Sequence, residues 1–384
     1  MLTGMTALQK ELQKEFEKFV DKEIIPYADQ FDEQGEIPRD MIGRFAQQGY
    51  LGAMIPEKYQ GAGMDPVTFG LLCEEIGRGS ISLLSLLTVH GMVAQAIEKW
   101  GSEIQKQTWL PKLAKGEVIG AFGLSEPDVG SDPKSVESIA TVEDVFFRLN
   151  GHKKWISYGQ MADIFLIIAQ CGARPAAFLV TRDTPGFEVE PIQGMLGFRS
   201  AMLAQLHLTN CLIAQENLIG KIGFGFTHVA GTALDYGRYC IAWGCVGLGK
   251  ACLEACLRYT GKRKQFGALL RKHQLIQHMI ADMITEVKAA RMLCLDAAYL
   301  KSAGDPETIM ETSIAKYYAS TMAFRAANHA VQIHGANGCC HEYPVQRFFR
   351  DAKITEIIEG SSQIQQIIIA RHGYQNYLFG EKNK

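Results

Sequence analysis

The hydrophobic period changes twice along this chain, from helical spacing to short β-type runs near residue 118 and back again near residue 226. Up to about residue 117, apolar positions recur at three- and four-residue steps, as in ALQKELQKEFEKFVDKEIIPYADQFD. PRDMIGRFAQQGYLG reads as a short helix stopped by Gly49. DPVTFGLLCEEIGRG, SISLLSLLTVHGMVAQAIEKWG and SEIQKQTWLPKLAKGE complete this block. VIGAFGLSE, VFFRLNGHKKWISYG, DIFLIIAQC, PAAFLVTR, FEVEPI and AQLHLTNCLI then follow as runs rich in β-branched and aromatic residues, separated by Gly, Pro and Asn. The helical period returns in a long segment from FTHVAG to KRK, in 273–303, in 306–334 and in the tail, which reads as a helical bundle. The expected architecture is mainly α with a central β-domain, divided as 1–117, 118–225 and 226–384. That order names no function.

The bulk numbers remove several classes of function. A net charge of −2 gives no electrostatic case for nucleic acid or an anionic membrane as partner. Hydrophobic content of 47% beside 21% charged residues suits a soluble chain, and no apolar run is expected to reach the length of a membrane span. The start, MLTGMTALQKELQKEFEKF, is polar and helical in pattern, unlike a secretory signal. Ten cysteines form no C-x-x-C pair; Cys252 and Cys256 share a helix face, and Cys339 adjoins Cys340. Buried thiols in a reducing compartment, and so a cytoplasmic location, are the expectation. His334 and His341 have no acidic or cysteine neighbours at metal-site spacing, so satisfied structural histidines are expected and no metal. No G-x-G-x-x-G follows a strand, which speaks against a Rossmann dinucleotide site.

Four stretches carry candidate chemistry. In EIIEGSSQIQQ, Ser362 and Gln365 have capping-box spacing, so a helix is predicted to start at Ser362. Glu359 then sits in the bend before it, loosened by Gly360 and desolvated by Ile357 and Ile358. It reads as a general base, or as a solvated glutamate in a helix-entry loop. AFGLSEPDVGSD offers Ser125, Ser131 and backbone amides to a hydrogen-bonding ring, or is a polar turn. In GHKKWISYG, Trp155 could stack on a planar ligand and Ser157 hydrogen-bond it, or the tryptophan belongs to a core strand. In GKRKQFG, Arg263 suits a phosphate and Phe266 a ligand face; the alternative is a solvated basic helix end.

Taken together, GLSEPDVGSD, KRKQFG, QIHGANG and RDAKITEIIEGSSQIQQIIIAR resemble, in register and over nearly the full length, the acyl-CoA dehydrogenase superfamily. The resemblance implies an N-terminal helical domain, a middle β-barrel-like domain and a C-terminal four-helix bundle, with FAD bound between the β-domain and the bundle. By position it implies flavin- or thioester-contacting roles for Phe122, Ser125, Ser131, Trp155 and Ser157. It places Arg263, Gln265, Phe266, Gln332 and Gly335 against the FAD of a neighbouring subunit, and hence implies a homodimer or homotetramer. Ser361 and Gln363 match further FAD contacts, Glu359 matches the catalytic base, and Arg238 and Gly360 join Ser131 at the substrate. Some relatives carry the base on a bundle helix, near DYGRYCIAWG here; this segment has no glutamate after Asp235.

One departure narrows the expectation. The residue before the base is usually tyrosine in the fatty-acid enzymes, and here it is Ile358. GEIPRDMIGRF, LDYGRYCIAWGCVGLGKAC and AKITEIIEGSS look most like polyketide-pathway members that act on acyl groups tethered to an acyl carrier protein and form hydroxymalonyl or methoxymalonyl extender units. The implied reaction is oxidation of 2-hydroxy-3-oxopropionyl-acyl carrier protein to 2-hydroxymalonyl-acyl carrier protein. The alternative is a short-chain acyl-CoA dehydrogenase passing electrons to an electron-transfer flavoprotein. A non-catalytic oligomeric scaffold is a third reading, disfavoured by Glu359.

Overall fold

Six α-helices form before residue 115 in a computed structural model that describes residues 4–379, with side chains through residue 375. They are α1 (Ala7–Glu23), α2 (Ala28–Gln34), α3 (Arg39–Gln47), α4 (Pro66–Gly79), α5 (Ile81–Trp100) and α6 (Glu103–Ala114). Their starts follow local chemistry. Asp65 accepts from Val67 N at 2.9 Å and Thr68 N at 3.1 Å, with Pro66 preset for the first turn of α4. Ser102 and Gln105 close a capping box on α6. Gln105 Nε2 also donates to the Glu216 and Leu218 carbonyls at 2.6 and 3.0 Å, tying α6 to the β-domain.

Eight strands follow: β1 (Gly120–Gly123), β2 (Ile139–Glu143), β3 (Phe146–Ile156), β4 (Ile164–Cys171), β5 (Arg174–Thr181), β6 (Phe187–Pro191), β7 (Ala204–Ala214) and β8 (Leu218–Ile219). They make one sheet in the order β6-β7-β3-β2-β4-β5-β8, with β1 bonded in parallel to β4. The β3–β7 register runs Lys153 to Leu206 and then Ile156 to Ala204, so β3 carries one extra residue. This bulge holds Trp155 at φ +66°, and bulges re-aim side chains at strand ends.

The C-terminal part has α7 (Gly231–Thr260), α8 (Gln274–Ala303), α9 (Thr308–His334), α10 (Val345–Thr355) and α11 (Ser362–Phe379). Two sequence expectations change here. The segment predicted as helix from FTHVAG begins as a π-helical turn over Gly225–Ala230. KRKQFG is no helix end: α7 stops at Thr260, and Lys264–Gln265 (β9) pairs with Ala268–Leu269 (β10) in a small hairpin. Crossing of α4 over α7 requires glycine, because a Cβ at Gly247 would lie 1.9 Å from the Glu74 carbonyl oxygen and one at Gly77 2.5 Å from that of Gly244.

The expectation that no apolar run reaches membrane-span length is corrected. Ile81–Trp100 and Gly225–Thr260 are both long and apolar enough, each with mean hydropathy 1.4, but 89% and 78% of their most apolar windows are buried inside the fold. Packing between the helical blocks and the sheet accounts for that apolarity. The thiol expectation holds for eight cysteines and fails for Cys339 and Cys340, which are exposed after α9.

Candidate active site

Glu359 lies in the turn between α10 and α11 with φ +55°, and Gly360 follows at +84°. A non-glycine residue in the left-handed region needs support from its surroundings. The support comes from two buried side chains. Gln365 Nε2 donates to the Glu359 carbonyl at 3.1 Å and to the Gly360 carbonyl at 3.3 Å. Lys316 Nζ, from the middle of α9, donates to the same Gly360 carbonyl at 2.8 Å. The predicted capping box therefore shifts. Ser361 caps α11, accepting from Ile364 N at 3.4 Å, and Gln365 braces the turn instead of capping Ser362.

The Glu359 carboxylate rests on α7. A Cβ at Gly237 would stand 2.3 Å from Glu359 Oε2, so only glycine leaves it room. Oε2 is closed to solvent and has no hydrogen-bond partner among the described residues. Burial raises the Glu359 pKa from 4.5 to about 7, against the pull of Arg238 and Lys316. Ile357 does not supply this desolvation as expected, being 57% exposed; Ile358 packs on the core. Burial lowers the Arg238 pKa, opposed by Glu359 and Asp235, and Arg238 Nε is buried with no hydrogen-bond partner among the described residues. Asp235 is itself held by Lys301 at 2.6 Å.

A second group forms at the sheet. Lys154 N donates to the Ser125 carbonyl at 3.0 Å, which brings the loop after β1 against the bulge that carries Trp155, with Ser157 just beyond. A buried ion pair fixes this junction: Lys153 Nζ reaches Glu126 Oε1 at 2.6 Å and the Leu124 carbonyl at 3.2 Å. Glu126 also accepts from Glu137 N at 2.6 Å and from Ser138 N and Oγ at 3.0 and 2.6 Å. Trp155 is 48% exposed, so the core-tryptophan reading fails. Phe122 is buried in β1, and Ser131 is exposed beyond the turn. Among the described residues the Ser125 and Ser157 hydroxyls have no partner, and the edge of β1 away from β4 pairs with no strand. Lys154 Nζ stands 4.8 Å from the centre of the Trp155 ring, and Gly120 N on the far edge of β1 donates to His90 Nδ1 at 3.3 Å. The half-exposed indole, the two unpartnered hydroxyls and the rest of that strand edge fit a planar ring with polar edges, as in the isoalloxazine of FAD.

A third group lies at the ends of α7 and α9. Arg263, Gln265 and Phe266 sit on the projecting hairpin, where Phe266 is 97% exposed with φ +50°. Tyr259 stacks on His334 at 4.1 Å and accepts from Asn337 Nδ2 at 2.9 Å, joining the hairpin base to the end of α9 that holds Gln332 and the turn that begins at Gly335. His334 bonds the Ala330 carbonyl through Nδ1 at 2.8 Å, a structural role as expected. Gly360 and Ser361 adjoin Glu359, while Gln363 is exposed on the first turn of α11.

Sequence reading missed Lys316, Gly237 and the Glu126–Lys153 pair, and gave Gln365 a capping role in place of its bracing one. Lys316 had a signal: in TSIAKYYAS its helical neighbours Thr312, Ser313, Ala319 and Ser320 are all core residues, an unusual face for lysine. The others become visible only when separate elements meet.

Comparison with known proteins places this geometry in context. The acyl-CoA dehydrogenase N-terminal, middle and C-terminal domain families match residues 6–117, 121–211 and 223–374. A glutaryl-CoA dehydrogenase of Desulfococcus multivorans is 39% identical, over 94% of this chain and 94% of its own. The mitochondrial short-chain specific acyl-CoA dehydrogenase of Rattus norvegicus is 37% identical, over 94% and 88%. Among solved structures, butyryl-CoA dehydrogenase from Megasphaera elsdenii superposes with TM-score 0.93 at 33% identity, covering 96% of this chain and 99% of that one. FkbI, described for biosynthesis of a methoxymalonyl extender unit, gives 0.86 at 30% identity, covering 94% and 98%. The prolyl acyl carrier protein oxidase AnaB gives 0.92 at 27%, covering 96% and 99%.

Proposed function

The chain belongs to the acyl-CoA dehydrogenase family of FAD-dependent oxidoreductases, and within it we propose that the substrate is a short, polar acyl thioester on an acyl carrier protein, 2-hydroxy-3-oxopropionyl, oxidised as its hydrate to 2-hydroxymalonyl. The observation that carries this reading is the buried, unpartnered Nε of Arg238 beside Glu359. A hydroxylated acyl group supplies an acceptor for that donor, and an alkyl chain leaves it unsatisfied. Length is limited by Tyr236, the residue before Gly237. Its ring stacks on Phe69 at 5.3 Å, and a Cβ on Gly91 would lie 2.1 Å from its hydroxyl, so the seam between α5 and α7 is filled. The likeness to AnaB supports the carrier-protein handle, and the likeness to FkbI supports an extender-unit role.

In this reading Glu359 accepts the proton of a hydrate hydroxyl as C3 loses hydride, leaving the carboxylic acid of the 2-hydroxymalonyl group. FAD supplies the two-electron acceptor for that hydride. The left-handed turn aims the carboxylate, Gly237 gives it room, and burial brings it near the ambient pH that suits a base. Ser125, Trp155 and Ser157 would hold the ring, with Phe122 and Ser131 beside them. Arg263, Gln265, Phe266, Gln332 and Gly335 would serve the cofactor of a second subunit in a homodimer or homotetramer, with Ser361 and Gln363 as further contacts. An electron-transfer flavoprotein is proposed as electron acceptor and the cytoplasm as location.

Names of the sequence relatives favour a second reading, α,β-desaturation of a short-chain acyl-CoA, in which Glu359 removes the α-proton. Anaerobic bleaching of the flavin's visible absorbance separates the two. Bleaching by 2-hydroxy-3-oxopropionyl carrier protein and not by butyryl-CoA supports the proposal; bleaching by butyryl-CoA alone refutes it. Either way, Tyr236→Ala is expected to admit acyl chains about two to four carbons longer, since it removes most of a buried aromatic side chain. An unchanged chain-length profile in a folded variant would exonerate Tyr236.

A further inference from the structure

We infer that Lys316 is a positioning residue for Glu359: its ammonium, by holding the Gly360 carbonyl, keeps the left-handed turn seated on α7 and sets the pH range in which the carboxylate accepts a proton. The inference rests on Glu359 being the base. Lys316 is 0% exposed, and among the described residues its one side-chain hydrogen bond is to a neutral carbonyl, Gly360 O at 2.8 Å. Among the described residues it forms no ion pair. A buried ammonium costs several kcal/mol, and one neutral acceptor for three donors is a thin return. A purely structural position would be better filled by methionine or leucine.

Its placement makes sense only with respect to the turn. The two carbonyls that follow the strained dihedrals, those of Glu359 and Gly360, are gripped from α11 by Gln365 and from α9 by Lys316. Gln365 touches both carbonyls and carries no charge. Lys316 touches one and adds a positive field. The charged groups around it are Glu359 in the turn, Glu356 at the end of α10 and Arg238 on α7, with the Cys245 thiol of α7 also facing it. The cations that act on Glu359 are Arg238, itself tempered by Asp235, and Lys316. Burial lowers the Lys316 pKa to about 8, which leaves it charged through the neutral range.

The test uses FAD-loaded holoenzyme and whichever thioester bleaches the flavin. The pH dependence of the anaerobic bleaching rate is measured for wild type, Lys316→Met, Lys316→Gln and Lys316→Arg. Removing the charge is expected to move the rising limb up by about one pH unit and to slow bleaching about fivefold at pH 7. Arginine is expected to restore the wild-type midpoint. If the Met and Gln variants bind FAD and keep the wild-type midpoint, the inference is wrong, whatever their thermal stability. Poor folding of Lys316→Met leaves the comparison of Gln with Arg to decide. Glu359→Gln run alongside isolates the premise: if it bleaches at the wild-type rate, the assignment of the base has failed; if it is inactive while the Lys316 midpoints coincide, only the Lys316 inference has failed.

Discussion

Glu359→Gln is expected to retain FAD and lose roughly 10²–10⁴-fold of its turnover, the range general-base removal costs. Glutamine preserves the volume above Gly237 and leaves the braces on the Glu359 and Gly360 carbonyls untouched. The wild-type rate should rise with pH through about 7, because the carboxyl is held protonated below that value by burial and only the carboxylate can accept a proton. The same shift has a stability consequence of definite sign. A carboxyl whose pKa is raised on folding, here from 4.5 to about 7, stabilises the fold below the lower value and loses that contribution as pH climbs through the upper one. The neutral glutamine has no such dependence. Relative to wild type it should therefore gain stability between pH 4.5 and 7, reaching about 3 kcal/mol at pH 8. Thermal melts at pH 4 and pH 8, at fixed FAD and protein concentration, read this directly. Equal melting differences at the two pH values would mean that the carboxylate is better solvated than its unpartnered Oε2 indicates.

The contrast between Glu359 and its supports shows what a linear reading can reach. Glycine after an acidic residue, serines and a following apolar period are local signals, and they located the turn to within one residue of its cap. Gly237 is a glycine in a helix like several others, and nothing along the chain says that a carboxylate from residue 359 lies on it. Period alone also misjudged KRKQFG, because two-residue strands are too short to show alternation. The π-helical turn at Gly225–Ala230 is invisible for a related reason: one extra residue per turn leaves a six-residue pattern almost unchanged. Trp155 was offered as either a ligand-stacking or a core residue, and its exposure follows from a bulge that only the β3–β7 register reveals.

Lys153→Met is expected to destabilise the protein by roughly 3–5 kcal/mol, the usual loss when one member of a buried ion pair is removed. Glu126 would remain 4% exposed with its strongest partner gone. Burial alone would raise the Glu126 pKa, but Lys153, Ser138 and the Glu137 amide hold it below its ordinary value, so it stays ionised at neutral pH. Lys153 is drawn down to about 8 by burial in spite of Glu126, and the pair is therefore charged on both sides at pH 7. Adding Glu126→Gln to Lys153→Met should recover part of the loss, since the double variant buries no unpaired charge. The consequence extends to the cofactor. Lys153 precedes the bulge, and its contacts with Leu124 and Glu126 hold the Ser125 loop against Trp155. FAD retention should fall in Lys153→Met more than its melting temperature alone would dictate, and it should return in the double variant only as far as the loop regains its place. A single variant that melts within about 1 kcal/mol of wild type would show that water reaches Glu126 and that the junction is held by the backbone bonds instead.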